Sequence, residues 1–436
     1  MTMPSRRWTP RHAPAHYLAL TLLACCVSAC APSPPDAAVA RGEGAATDDT
    51  PVDTAIDEAV ARGAFPFLYV RVETLGGDVV YEHSAINERF TTRTPDGESW
   101  LRLWSMSKSV TIATILSLEE DGVLSRSDPV VDYIPEFNAL RVLSADADAP
   151  SCDEGQRPPK RAITMEDLLN HNDGFYYPFT AYPCLNQAMN RARLPEASST
   201  DQLIERIAKL PLHPGGVGDH QYGIGTTVLG LVAERATGQS FDQVVRERIT
   251  GPLGIDDVLR YMLPPNEPTY ARVTGEDGTL RFADDDDLDI FGGPVPEYRP
   301  DTAIFLGGEG MVGTTQGFAT FLRAMGNHGE LNGTRILRDA TVRDWYAPKT
   351  QLDSPYGRNG FNIWVTSGKF DNLPDQKPGL LVGGGYEGTA FWIDLDAGLV
   401  GLIMSQVHQP ATKGVDEVSK IRGLLYEHVL EPESVH

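Results

Sequence analysis

Two stretches at opposite ends of this chain carry the same pattern, and together they narrow the folds open to it. Near the start, FLYVRVETL (Phe67 to Leu75) and VVYEHS flank a Gly-Gly-Asp turn. Near the end, GTAFWIDLDAGLVGLIMSQ (Gly388 to Gln406) holds two runs around Asp396-Ala397-Gly398. Apolar residues alternating on either side of such a turn mark a β-hairpin, and sequential hairpins pair antiparallel. The middle of the chain is helical and rich in loops, and an amphipathic helix, VDEVSKIRGLLYEHVLE, closes it. The fold class that follows is α/β of the α+β kind. An antiparallel sheet is formed by both chain ends with flanking helices, and the middle supplies a mainly helical lobe.

The segment WSMSKSVTIATILSLEEDG, Trp104 to Gly122, is a helix by its period. Val110, Ala113 and Leu116 recur on one stripe, and Ile112, Ile115 and Leu118 widen it to almost the whole circumference. Polarity returns at Glu119-Glu120-Asp121, and Gly122 can stop the helix. A helix apolar nearly all round belongs in the middle of a core. At its start stand Ser105 and Lys108, three residues apart and therefore on one face. A lysine withdrawn from bulk water gives up its proton more readily and can act as a base toward a serine. Ser-x-x-Lys alone is a short pattern that a capping serine and a surface lysine would also produce. No other serine in the chain has a lysine three residues on.

The formal net charge of -23 argues against a nucleic-acid partner, because phosphate binding needs a basic patch. Residues 1–29 have the form of an export leader: Arg6, Arg7 and Arg11, then a short apolar core from Tyr17 to Val27. The Val-Ser-Ala-Cys ending resembles the lipobox of bacterial lipoproteins, which would make Cys30 the lipidated first residue of the mature chain; Cys25 is a weaker second site. Residues 30–53, rich in Pro, Ala, Gly and Asp, read as a flexible tether, leaving 54–436 as the folded domain. The expected location is the cell envelope, lipid-anchored to a membrane (the outer one first) and facing the periplasm, or outside the cell. In an exported chain the two remaining cysteines, Cys152 and Cys184, are expected to form a disulfide.

SMSKSVTIATILSLEEDGVLSRSDPVVDYIPEF, ITMEDLLNHNDGF, PLHPGGVGDHQYGIGTTVLGLVAERATG, GPLGIDD, GGEGMVGTTQGFATFLRAMGNHGELNGTRIL and VGGGYEGTAFWIDLDAGLVGLIMSQ follow one another in this order. Together they resemble the serine β-lactamase-like superfamily. The nearest branch is that of class C β-lactamases, D-alanyl-D-alanine carboxypeptidases and the β-lactamase-like (family VIII) esterases. The resemblance implies a serine hydrolase in which Ser105 attacks an acyl carbonyl and Lys108 helps take its proton. Tyr222 would be the third member, base in acylation and acid toward the leaving group. The oxyanion would be held by the backbone N–H groups of Ser105 and Tyr386. Gly383, Gly384 and Gly385 would let substrate lie against that strand without a side-chain clash. No metal and no organic cofactor is implied.

Two positions depart from the branch. Tyr222-Gly223-Ile224 stands where its lactamases and peptidases commonly have Tyr-Ser-Asn or Tyr-Ala-Asn, which removes a carboxamide that would steady an amide substrate. Gly383 stands where they carry Lys or His, which removes a cation for a substrate carboxylate. Both departures point to an esterase acting on a small-molecule ester or acyl substrate, with Ile224 and His220 as pocket residues. The alternatives are a D-Ala-D-Ala peptidase or β-lactamase, and a non-catalytic envelope protein that uses the fold for binding. His171 and His213 lack a Gly-x-Ser-x-Gly elbow to serve, and His171 is expected to cap or pack. The run Asp284 to Asp289 lacks the spaced ligands of a calcium loop and reads as solvated. No His/Cys cluster has zinc spacing. GGEGMVG, Gly307 to Gly313, reads as a tight turn beneath the active site.

Overall fold

Helix α1 (Pro51–Ala61) begins inside the stretch expected to be a tether. Thr50 and Asp53 form a capping box: the Asp53 N–H donates to the Thr50 hydroxyl at 3.1 Å, and the Thr50 N–H donates to the Asp53 carboxylate at 2.8 Å. Val52, Ile56 and Val60 are buried, so the folded domain starts by Thr50 rather than at residue 54. The computed structural model describes residues 50–144, 152, 155–276, 278–284, 287, 290–291, 301–351, 357–367, 377–408 and 413–430. The leader, Cys30, the tether up to residue 49, and Asp285, Asp286 and Asp289 of the acidic run lie outside these residues.

Both chain ends meet in one antiparallel sheet of eight strands. These are β1 (Phe67–Thr74), β2 (Val79–Ile86), β3 (Thr350–Gln351), β4 (Arg358–Asn359), β5 (Trp364–Val365), β6 (Leu381–Gly385), β7 (Thr389–Asp394) and β8 (Leu399–Met404). Their spatial order is β3-β4-β5-β6-β7-β8-β1-β2, so the first strand is inserted beside the last. Tyr69 pairs with Met404 and Thr74 with Leu399. Because side chains alternate, each strand feeds two cores. One face carries Val70, Val72, Trp392 and Ile403 against α1 and the closing helix α5 (Lys413–Leu425). The other carries Tyr69, Phe391, Val400 and Leu402 against α4 (Thr315–Gly326) and the rest of the molecule.

Helix α2 (Ser107–Glu120) is buried continuously from Ser107 to Leu118, as its unbroken apolar surface requires. It packs against α3 (Gly225–Thr237) in the helical lobe. A small sheet of Trp100–Arg102, Val312–Thr314 and Leu259–Arg260 leads the chain into α2. In the lobe, Cys152 and Cys184 are joined by a disulfide with their Cα atoms 5.5 Å apart. Cys184 sits in the first turn of the helix Pro183–Ala192.

Candidate active site

The chain turns sharply where the small sheet hands over to α2. Trp104 has φ +48°, a left-handed conformation that costs a residue with a side chain about 1–3 kcal/mol and persists where packing enforces it. Here the indole is buried against the Tyr386 ring at 5.2 Å. A single 3₁₀ turn, Trp104–Met106, then puts Ser105 in the wall of a cavity of about 350 Å³.

Lys108 is fully buried one helical turn later. Its amine lies 3.0 Å from Ser105 Oγ, 2.8 Å from Tyr177 Oη, 2.8 Å from the Gly308 carbonyl oxygen and 3.4 Å from Glu309 Oε1. The spacing that suggested a nucleophile and its partner thus becomes a direct contact. Gly308 belongs to the glycine-rich segment expected beneath the site.

Tyr177 and Glu309 were not singled out from sequence. The Tyr177 hydroxyl donates to Glu309 Oε1, and Thr227 Oγ1 donates to Glu309 Oε2 at 2.6 Å. Both residues are buried. Burial, followed by the Glu309 charge, pushes the Tyr177 phenol well above its ordinary range, so it serves as a fixed donor rather than a base. The available signal was Glu309 itself, a lone carboxylate inside an otherwise uncharged run, since such a group inside a core needs partners.

Tyr222 shares the cavity wall with Ser105. Its ring centroid is 5.2 Å from Lys108 Nζ and 5.3 Å from the Tyr177 ring. Tyr177, rather than Tyr222, makes the hydrogen bond to the lysine. Gly223 explains how the two tyrosines come together: a Cβ there would fall 2.4 Å from the Phe175 carbonyl oxygen and the Tyr176 nitrogen, so the two loops touch through backbone.

Ile224 and His220, expected to line the pocket, do not. Ile224 is wholly buried where α3 begins, with its side chain in the lobe's core. His220 is turned toward His171, ring centroids 6.2 Å apart, and lies outside the cavity wall. His171 packs on Tyr222 at 4.8 Å, and its Nε2 lies 2.7 Å from Asn362 Oδ1. Burial lowers its pKa to about 3, which keeps it neutral. Its backbone has φ +56°, and its carbonyl accepts from the Gln221 N–H at 2.7 Å. It therefore packs and positions the Tyr222 loop, as expected of it.

Strand β6 brings Gly383, Gly384, Gly385 and then Tyr386 into the cavity wall. A Cβ on Gly385 would fall 2.5 Å from the Leu103 carbonyl oxygen and 3.3 Å from Trp104 Cβ, so the strand meets the nucleophile turn backbone to backbone. A Cβ on Gly383 would fall 2.5 Å from the Phe391 ring. The space a lysine or histidine would need at this position is taken by an aromatic ring. Behind the turn, Arg102 Nε donates to Glu387 Oε2 at 2.6 Å, with both groups buried. The Arg102 N–H donates to Gln406 Oε1 at 2.9 Å. This charged bond ties the residues before Ser105 to the turn after Tyr386, the two backbones that would flank an oxyanion. The mouth is aromatic: Phe179, 64% exposed, lies nearly parallel to Tyr386 at 6.3 Å, and Trp364 faces Tyr222 at 6.0 Å.

Comparison with known proteins places the fold among relatives. Protein Rv1367c of Mycobacterium tuberculosis is 30% identical over 68% of this chain and 72% of its own. Esterase EstB of Burkholderia gladioli is 25% identical over 85% of this chain and 92% of its own. Among solved structures, simvastatin synthase LovD from Aspergillus terreus superposes with a TM-score of 0.68 at 21% identity, covering 86% of this chain and 97% of that one. The Beta-lactamase family model matches residues 52–423. With that match spanning nearly the whole folded domain, the chain belongs to the β-lactamase family.

Proposed function

We propose that the protein hydrolyses neutral carboxylic esters through an acyl-enzyme on Ser105. The observation that carries this is the 3.0 Å contact between Lys108 Nζ and Ser105 Oγ, made in the wall of a cavity where Phe391 occupies the place of a carboxylate-binding cation. In acylation Ser105 Oγ attacks the ester carbonyl and its proton passes to the Lys108–Tyr222 pair, with Lys108 Nζ in contact with Ser105 Oγ and 5.2 Å from the centre of the Tyr222 ring. Tyr222 returns the proton to the departing alcohol. A water then attacks the acyl-enzyme by the same route in reverse. The backbone N–H groups of Ser105 and Tyr386 receive the charge that develops on the carbonyl oxygen. EstB, an esterase by name, supports this reading. The acyl group can equally pass to an alcohol in place of water, which makes acyl transfer the second outcome of one intermediate.

With no cation at Gly383, and with Arg422 of the same wall carried by α5 across the sheet, a substrate carboxylate beside Ser105 would forgo a charge-assisted bond of about 1.5–3 kcal/mol, or roughly ten- to a hundredfold in kcat/KM. Amides are also poorer electrophiles than esters. The expected ranking is p-nitrophenyl butyrate above a chromogenic cephalosporin and a D-Ala-D-Ala peptide. Faster turnover of either carboxylate-bearing substrate rules the ester assignment out.

We also propose that the protein is exported and held to an envelope membrane by lipid on Cys30, on the strength of the leader's Val-Ser-Ala-Cys ending. Cys30→Ser should move it from the membrane to the soluble fraction of a bacterial host. An unchanged distribution counts against the anchor.

A further inference from the structure

The cavity that contains Ser105 does not stop at the catalytic face of the sheet. Its wall also includes Phe65, Val382, Ala390, Val407 and Val418. All five belong to the core on the opposite face, the one covered by α1 and α5. The sheet register explains the passage. Val382 pairs with Trp392 and Gly384 with Ala390, and directly opposed residues project to one side, here toward α5. Beyond Val382 that side of β6 and β7 carries a glycine and an alanine, while Trp364, opposite Val382 on β5, walls the passage at its edge. Among the described residues β5 pairs with β6 at Leu381 and Val382 alone, and the cavity passes over the edge of β6 from Gly383 to Gly385. Ser419 and Arg422 of α5 stand in the same wall.

Resting on the ester-hydrolase reading above, we infer that this crevice is an acyl-chain site and that the preferred substrates are esters of unbranched, medium-length aliphatic acids. Tyr222 protonates the departing alcohol, so the alcohol faces Tyr222. The acyl group stays along β6, whose edge leads into the crevice. Three residues of strand, from Gly385 back to Val382, span about 10 Å, the reach of an extended chain of about eight carbons. Each methylene moved from water onto these walls contributes roughly twofold to fourfold in kcat/KM. A longer chain outruns the apolar wall, which turns the gain into an optimum.

The test is a series of p-nitrophenyl esters from acetate to dodecanoate. Activity should climb to about the octanoate and then fall. Val418→Trp, which plugs the crevice from the helix, should flatten the climb and leave acetate turnover unchanged. Ala390→Leu should do the same from the sheet, should the first variant fail to fold. A flat or falling profile beyond butyrate overturns the proposal. So does an equal loss on acetate and octanoate in both folded variants, or a length preference that follows the alcohol in alkyl acetates. If the wild type turns over no ester, the ester reading fails by itself and the crevice is judged by calorimetry with decan-2-one and Ser105→Ala protein. Binding that Val418→Trp removes supports the crevice; binding that it leaves intact, or none at all, overturns it.

Discussion

Ser105→Ala should bring ester turnover down by about 10⁵–10⁶-fold, to background, and should abolish labelling by a fluorophosphonate probe. The size of the loss follows from removing the atom that forms the covalent bond. The residual rate would reflect binding and the oxyanion donors alone. The neighbouring hydroxyls make this a discriminating experiment. Ser107 is buried, and its Oγ accepts from the Met311 N–H at 3.1 Å. Ser109 is buried too. Neither stands in the wall of the cavity. A probe adduct mapped to any serine other than Ser105 ends the assignment.

The next largest effects should come from the groups that handle the proton, and they should separate the two tyrosines. Lys108→Ala and Tyr222→Phe are each expected to lower kcat/KM by about a hundredfold to ten-thousandfold. Their losses should not add in the double variant, because the two residues act on one transfer. Tyr177→Phe should cost less, roughly ten- to a hundredfold, the worth of one hydrogen bond to a charged group. Its hydroxyl is committed to Glu309 and steadies the lysine without carrying the proton itself. Circular dichroism and thermal melts would show that each variant keeps its fold. Should Tyr177→Phe prove as damaging as Lys108→Ala while Tyr222→Phe stays near wild type, the roles of the two tyrosines are exchanged.

How far the sequence discloses this site depends on whether neighbours in space are neighbours in the chain. Ser105 and Lys108 were legible because one helical turn alone brings them together. The hairpins were legible from alternation and turn residues, and the burial of α2 from an apolar circumference. Tyr177 and Glu309 were not, since their contact spans 132 residues and no local period announces it. Ile224 went astray for a related reason. Its place two residues after Tyr222 suggests a pocket, but the start of α3 turns its side chain into the lobe. The glycine at 383 could be read as a missing cation, whereas the ring of Phe391 that excludes one comes from the next strand. Thr50 and Pro51 were lost in a composition typical of linkers, although a capping box was present four residues long.

The insertion of β1 beside β8 has a consequence for the order in which the molecule can be made. The Ser405 hydroxyl donates to the Phe67 carbonyl at a separation of 338 residues. Closing a loop of that length costs about 3 kcal/mol more than closing a ten-residue hairpin, and contacts so remote slow folding. As the chain emerges from its N-terminus, β1 and β2 can form a lone hairpin, which is marginal in water by itself. Ser105 and Lys108 follow soon after, yet Gly385 and Tyr386 arrive only near the end. Until then Ser105 lacks β6 beside it, and the first hairpin has an unfilled edge. A nascent or truncated chain is thus both inert and prone to pairing with the wrong strand. Strands β6 to β8, synthesised late, complete both the sheet and the wall around Ser105.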